Sequence, residues 1–191
     1  MHLVYDTETS GFYNASLSLD HPQQGRVIQL AALLLDENLK EVSTFRTLIY
    51  PSTWVVSPGA QAVHGISIEM CEKYGMPIEA ALEAFKGMFD ASIVTVAHNH
   101  RFDSQMLTSE GFQFMNKKSV CTMDATTELC KIPHPKRSGY KWPKLSEALS
   151  VLLDIKLDNA HDALSDARGC SLLYKYLIDN GHLNIGASGT K

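Results

Sequence analysis

Two carboxylates stand two residues apart near the start of the chain, Asp6 and Glu8 in Val4-Tyr5-Asp6-Thr7-Glu8-Thr9. A third, Asp103, closes the stretch Ala97-His98-Asn99-His100-Arg101-Phe102-Asp103. A fourth, Asp166, follows a histidine in Ala160-His161-Asp162-Ala163-Leu164-Ser165-Asp166-Ala167. Carboxylates bind hard divalent cations, and such cations activate water against phosphate esters. Four carboxylates and one imidazole are therefore the parts of a two-metal phosphodiester hydrolase. They work as one only if the fold brings them together.

Each residue also has a plainer explanation. On a strand, residues i and i+2 share a face, so Asp6 and Glu8 project together, about 6 to 7 Å apart along the chain. Buried side by side they repel and lose hydration, which a metal relieves. They would equally serve as solvated residues before the Ser10-Gly11 turn. Asp103 falls in the first turns of a helix after a buried strand, where open sheets place their sites. An acid there also simply complements the helix dipole. His161 and Asp166 are five positions apart, about 140° around a single helix. They converge only if His161 lies at or before the helix start, with Asp166 in the second turn. Asp162 or Asn159 would then cap that helix. His161 would otherwise be a surface histidine, one of eight in the chain.

The positioning elements follow from the apolar pattern. His2 to Thr7 reads as a strand, broken by Ser10-Gly11, and residues 13 to 25 as a polar loop. Val27 to Leu35 is a continuous apolar run, the mark of a buried strand. A turn at Asp36-Glu37-Asn38 leads to a strand from Val42 to Tyr50, stopped by Pro51. These three strands are expected to form a meander. Ile78, Ala81, Leu82, Phe85, Met88 and Phe89 recur at helical spacing. Ile93 to Ala97 is a buried strand, and Asn99 is placed to cap a helix carrying Phe102, Met106 and Leu107. Ser119 to Met123 is a fifth strand. Leu145, Ala148, Leu149 and Leu152 mark another helix, and a last one runs from about Asp162 to Ile178, stopped at Asn180-Gly181. The pattern implies a single α/β domain on a mixed sheet, over residues 1–181. A tail from 182 to 191 is expected to be disordered.

The chain has 191 residues, 45% hydrophobic and 20% charged, which excludes global disorder and fibrous classes. No apolar run approaches the roughly 20 residues of a membrane span, and no secretory signal is expected. Cys71, Cys121, Cys130 and Cys170 lack zinc-ligand spacing. They read as reduced thiols, which places the chain in the cytoplasm. No Walker-type glycine loop supports a nucleoside triphosphate hydrolase. The net charge is −4, but a metal hydrolase holds acids that bound cations neutralise. Between Lys131 and Lys144 five basic residues occur with no acidic one, interleaved with Tyr140 and Trp142. This stretch would contact phosphates and stack a base, or be an ordinary solvated loop.

Asp-x-Glu, then Asp, then His-x-x-x-x-Asp, in this order, resembles the DEDDh group of DnaQ-like 3′–5′ exonucleases. The flanks agree: Asp6-Thr7-Glu8-Thr9-Ser10-Gly11-Phe12, Arg26-Val27-Ile28-Gln29-Leu30-Ala31 and Val63-His64-Gly65-Ile66-Ser67 all resemble family segments. The likeness spans residues 3 to 180. It implies a ribonuclease H-like fold, a five-stranded mixed sheet flanked by helices. It implies two Mg²⁺ ions, with Mn²⁺ able to substitute. Asp6 would bridge them, Glu8 and Asp166 would complete one site, and Asp103 would support the other. His161 would be the general base, a role suited to imidazole near neutral pH. Thr9, Phe12, His64 and Asn99 would contact the terminal nucleotide. Phe12 is as readily explained by core packing, and His64 and Asn99 by structural polar roles.

The resemblance implies removal of nucleoside 5′-monophosphates from a free 3′ end, on single-stranded or frayed DNA. Alternatives are an RNA 3′-end trimming enzyme, a polymerase proofreading subunit, or a non-catalytic nucleic-acid-binding protein on the same fold. With no polymerase domain in the chain, a free-standing enzyme of a bacterial or phage-infected cell is expected.

Overall fold

The computed structural model describes residues 1–18 and 20–185. A five-stranded mixed sheet has the order β3-β2-β1-β4-β5. β1 (His2–Thr9), β2 (Val27–Leu35) and β3 (Glu41–Leu48) form the antiparallel meander. β4 (Val94–Ala97) and β5 (Lys118–Cys121) join it in parallel, β4 against β1 and β5 against β4. The helices are α1 (Pro58–His64), α2 (Ile68–Tyr74), α3 (Ile78–Ala91), α4 (His100–Ser109), α5 (Thr122–Cys130), α6 (Leu145–Leu153) and α7 (Ala163–Asp179).

The two-residue alternation of β1 sorts its side chains between two cores. Leu3 and Tyr5 join a core with Phe85 and Phe89 of α3 and Met106 and Leu107 of α4. Val4 joins the other, with Leu149 of α6 and Leu173 and Tyr174 of α7. By the same alternation Asp6 and Glu8 continue the α7 face of the strand. Every residue of β2 is buried, because β1 and β3 flank it and helices cover both faces.

Several boundaries differ from the sequence reading. β1 runs on to Thr9, so both carboxylates lie within it. β3 ends at Leu48, and Ile49 instead makes a parallel bridge to Met76. Ile93 lies outside β4 and is exposed. Thr122 and Met123, expected to end a strand, begin α5. Asn99 precedes α4 in a left-handed conformation, φ 72°, and its side chain makes no capping bond. Leu183 and Ile185 pack against the α7 core, and Lys118 Nζ donates to the Asn184 carbonyl at 2.8 Å. Residues 186–191, the rest of the expected tail, lie outside the described residues. No described helix is long and apolar enough to cross a membrane.

Candidate active site

β1 extends past its pairing with β4, which ends at Val4 opposite Val96. The Thr7 amide beyond that point finds a side-chain partner instead. It donates to Asp103 Oδ1 at 3.0 Å, and Thr7 Oγ1 donates to the same oxygen at 2.8 Å. Asp103 in the first turn of α4 is thereby fixed against β1 and buried. The dipole explanation alone does not account for these two bonds.

His161 and Asp166 converge by the route their spacing required. α7 starts at Ala163, and its N-cap is Asp162, which accepts from the Ser165 amide. Asp166 falls in the first turn of α7, one turn earlier than expected. His161 stands two residues before the helix in a left-handed conformation, φ 68°. That conformation is uncommon for a residue with a Cβ. It lets the His161 amide donate to Asp166 Oδ2 at 3.3 Å. Glu8, His161 and Asp166 each offer a ligand atom, all within 4.8 Å of one another.

The electrostatics show how tightly the acids are gathered. Burial raises the Asp6 carboxyl well above its ordinary range, and the charges of Asp103, Asp166 and Glu8 add to the effect. Glu8 is pushed up to about 8, by burial first and then by Asp166 and Asp103. Burial takes Asp103 to about 7 against the opposing bonds from Thr7. It takes Asp166 to about 6, opposed by the His161 amide. All four shifts run the same way, because burial leads each of them and the neighbouring carboxylates add to it.

The donor set fits a divalent cation. Asp166 Oδ1 is buried with no hydrogen-bond partner, which is the expense that a metal ligand avoids when its ion is bound. Oxygen donors from several carboxylates suit Mg²⁺ or Mn²⁺.

Beside Glu8 opens a cleft of about 630 Å³, lined by Thr9, Phe12, Val55, Val63 and His64 among others. Phe12 is 85% exposed, with its ring edge-on to Phe102 at 6.3 Å. Core packing therefore does not explain it. His64 accepts the Ile66 amide at Nδ1, and its Nε2 is buried without a partner. Asn99 does not line this cleft.

The sequence reading missed a support behind the site. Buried Gln29, opposite Glu8 in the β1–β2 register, accepts the Ala163 amide at 2.8 Å. Its Nε2 donates to Asp162 Oδ2 at 3.3 Å, and Arg46 of β3 binds the same oxygen at 2.5 Å. The signal was present: Gln29 is the one polar residue in the run from Val27 to Leu35.

Comparisons with known proteins bear on the family and the fold. The RNase_T family model, described as an exonuclease, matches residues 3–174. The 3′–5′ exonuclease DinG of Bacillus subtilis is 31% identical over 182 residues, 93% of this chain and 17% of that protein. DinG of Staphylococcus haemolyticus is 33% identical over 177 residues, 90% of this chain and again 17% of that protein. The chain thus spans about a sixth of the length of these relatives. Among solved structures, E. coli exonuclease I in complex with a 5cy-dT13 oligonucleotide superposes with a TM-score of 0.71 at 18% identity, over 93% of this chain and 40% of that one. Exonuclease X in complex with 5′ overhanging duplex DNA gives 0.68 at 22% identity, over 96% and 95%. At these identities the structural likeness speaks for the shared ribonuclease H-like fold. The family match covers nearly the whole described chain, and the chain belongs to the RNase_T exonuclease family, among the DnaQ-like 3′–5′ exonucleases.

Proposed function

We propose that this chain is a divalent-metal-dependent 3′–5′ exonuclease of the DEDDh type. It hydrolyses phosphodiester bonds from a free 3′ end of DNA and releases nucleoside 5′-monophosphates. The observation that carries this reading is the gathering of Glu8, His161 and Asp166 within 4.8 Å, with Asp6 and Asp103 electrostatically joined to them.

Asp6, Glu8, Asp103 and Asp166 would hold the cations, taken as two Mg²⁺ ions with Mn²⁺ as a substitute. Bound divalent cations supply charge neutralisation at the phosphate and a more acidic water. His161 accepts the proton of the attacking water, and its exposed position lets that proton pass to solvent. The cleft beside Glu8 takes the terminal nucleotide. There Phe12 offers a face to its base, while Thr9 and His64 offer polar contacts. Asn99, at the head of α4, would contact the same nucleotide from outside the cleft lining.

DNA is favoured because solved structures of this fold hold DNA strands. A frayed or single-stranded end is the fitting form, since the cleft of about 630 Å³ beside Glu8 would have room for an unpaired base. We take such an enzyme to act in the cytoplasm of a bacterial or phage-infected cell, a reading that the bacterial source of the relatives supports. Digestion of matched 5′-labelled DNA and RNA with Mg²⁺ tests the reading. A ladder shortening from the 3′ end on DNA is expected. Faster trimming of the RNA would favour the RNA alternative, and no cleavage of either would favour a binding protein.

A further inference from the structure

We propose that residues 131–144 form a docking surface for the phosphate backbone of the strand upstream of the scissile bond, with Trp142 stacking on one of its bases. The proposal rests on the exonuclease reading.

The segment is a shaped finger. Lys131 leaves α5 with φ 51°, and the chain folds back through an antiparallel bridge between Pro133 and Tyr140. The His134 amide donates to the Gly139 carbonyl at 3.0 Å, and the Lys141 amide to the Ile132 carbonyl at 2.9 Å. Gly139 makes the turn at φ 90°. The tip therefore carries Lys136 and Arg137, both exposed.

Its root is tied to the catalytic end of the sheet. His98 follows the last residue of β4 and lies five positions before Asp103. Its Nε2 lies 3.0 Å from the Pro143 carbonyl, and its Nδ1 lies 2.9 Å from Thr122 Oγ1. A carbonyl only accepts, so Nε2 carries the proton and Nδ1 accepts from Thr122. Burial holds the imidazole below its ordinary pKa, which keeps this neutral form. Ile132 packs against the α7 core. The finger is thus held at both ends beside the strand that leads to Asn99 and Asp103.

Its chemistry suits a polyanion. Among the described residues, Lys141 pairs with Glu147 at 2.5 Å, while Lys131, Lys136, Arg137 and Lys144 take no ion pair within 4 Å. Trp142 is 63% exposed, one residue from the anchored Pro143. Cations along a backbone path with an exposed indole are the elements of sequence-tolerant strand binding. A strand whose 3′ end enters the acidic centre needs compensating charge elsewhere, because the chain carries a net charge of −4.

The test compares wild type, the double variant Lys136→Ala with Arg137→Ala, and Trp142→Ala. Two substrates are used: an oligothymidylate and the p-nitrophenyl ester of thymidine 5′-monophosphate, which has no upstream strand. Each variant should raise the KM for the oligonucleotide about tenfold and leave its kcat unchanged. Hydrolysis of the ester should not change. In the double variant, removing two phosphate contacts should also lower the salt dependence of binding by about 1.4 in log–log slope. An unchanged oligonucleotide KM, or an equal loss on the ester, would overturn the proposal. If wild type cleaved neither substrate, the exonuclease reading would fall. Binding of a labelled oligothymidylate, followed by anisotropy, would then decide the finger alone, with unchanged affinity in the variants overturning it.

Discussion

Gln29 and Asp162 lie 133 positions apart and share a hydrogen bond behind the acidic cluster, Nε2 to Oδ2 at 3.3 Å. The other end of the same amide holds the Ala163 N–H. One buried side chain of β2 therefore fixes both the cap and the first residue of α7. His161 and Asp166 lie on either side of that clamp.

Gln29→Ala leaves the Ala163 amide without its buried acceptor. Such a loss costs about 1–3 kcal/mol, to be read from urea unfolding. Turnover should also fall, because the His161–Asp166 segment loses its support. Unchanged stability together with unchanged turnover would contradict the clamp.

The raised carboxyls set the pH dependence of the metal-free protein. Each holds its proton more tightly when folded than when unfolded, where carboxyls titrate near about 4. Their stabilising contribution is full below that value and is lost as pH rises. The loss spans the range marked by Asp166 at about 6, Asp103 at about 7 and Glu8 at about 8. The thermal midpoint in a chelator should therefore drop between about pH 5 and about pH 8. Added Mg²⁺ should restore it, more so at the higher pH. A midpoint insensitive to both would show that the acids do not form one buried group.

Asp6→Ala and Asp166→Ala should each abolish cleavage and keep the fold. Each removes one member of a mutually repelling set, so the metal-free variants should be at least as stable as wild type. The check is turnover with saturating Mg²⁺ or Mn²⁺ beside a thermal melt. Near-wild-type turnover would remove the assigned residue from the metal site.

His161→Ala should lower kcat by about 10² to 10⁴, the usual contribution of a general base. A ring nitrogen lies within 4.8 Å of a carboxylate oxygen of Glu8 and of Asp166, so the experiment must separate two roles. Metal affinity, measured by calorimetry, should hardly change. Lost affinity with activity recovered at high Mg²⁺ would make His161 a ligand instead.

Much of this was legible in the sequence where burial leaves a continuous or periodic apolar trace. β2 matches the run Val27–Leu35, and α3 matches the spacing of Ala81, Phe85 and Phe89. α1 and α2 left no such trace, since each has seven residues and α1 buries none of them. α5 was hidden by threonines, since two of its three buried positions, Thr122 and Thr126, read as strand formers and the third is Cys130. The spacing of His161 and Asp166 admitted convergence but did not dictate it. The left-handed turn at His161 and the Gln29 clamp settle that geometry through contacts distant in sequence. The side chain of Asn99 was expected to cap α4, but φ 72° places it otherwise.

End specificity tests the central claim most directly. Three forms of one single strand can be compared under identical Mg²⁺ conditions: linear with a 3′-hydroxyl, linear with a 3′-phosphate, and circular. The 3′-hydroxyl strand should shorten one nucleotide at a time and yield nucleoside 5′-monophosphates. The 3′-phosphate should block, because it brings a second charged group to the acidic site. The circle should survive. Rapid cutting of the circle by the pure protein would contradict the exonuclease account and mark the site as that of an endonuclease.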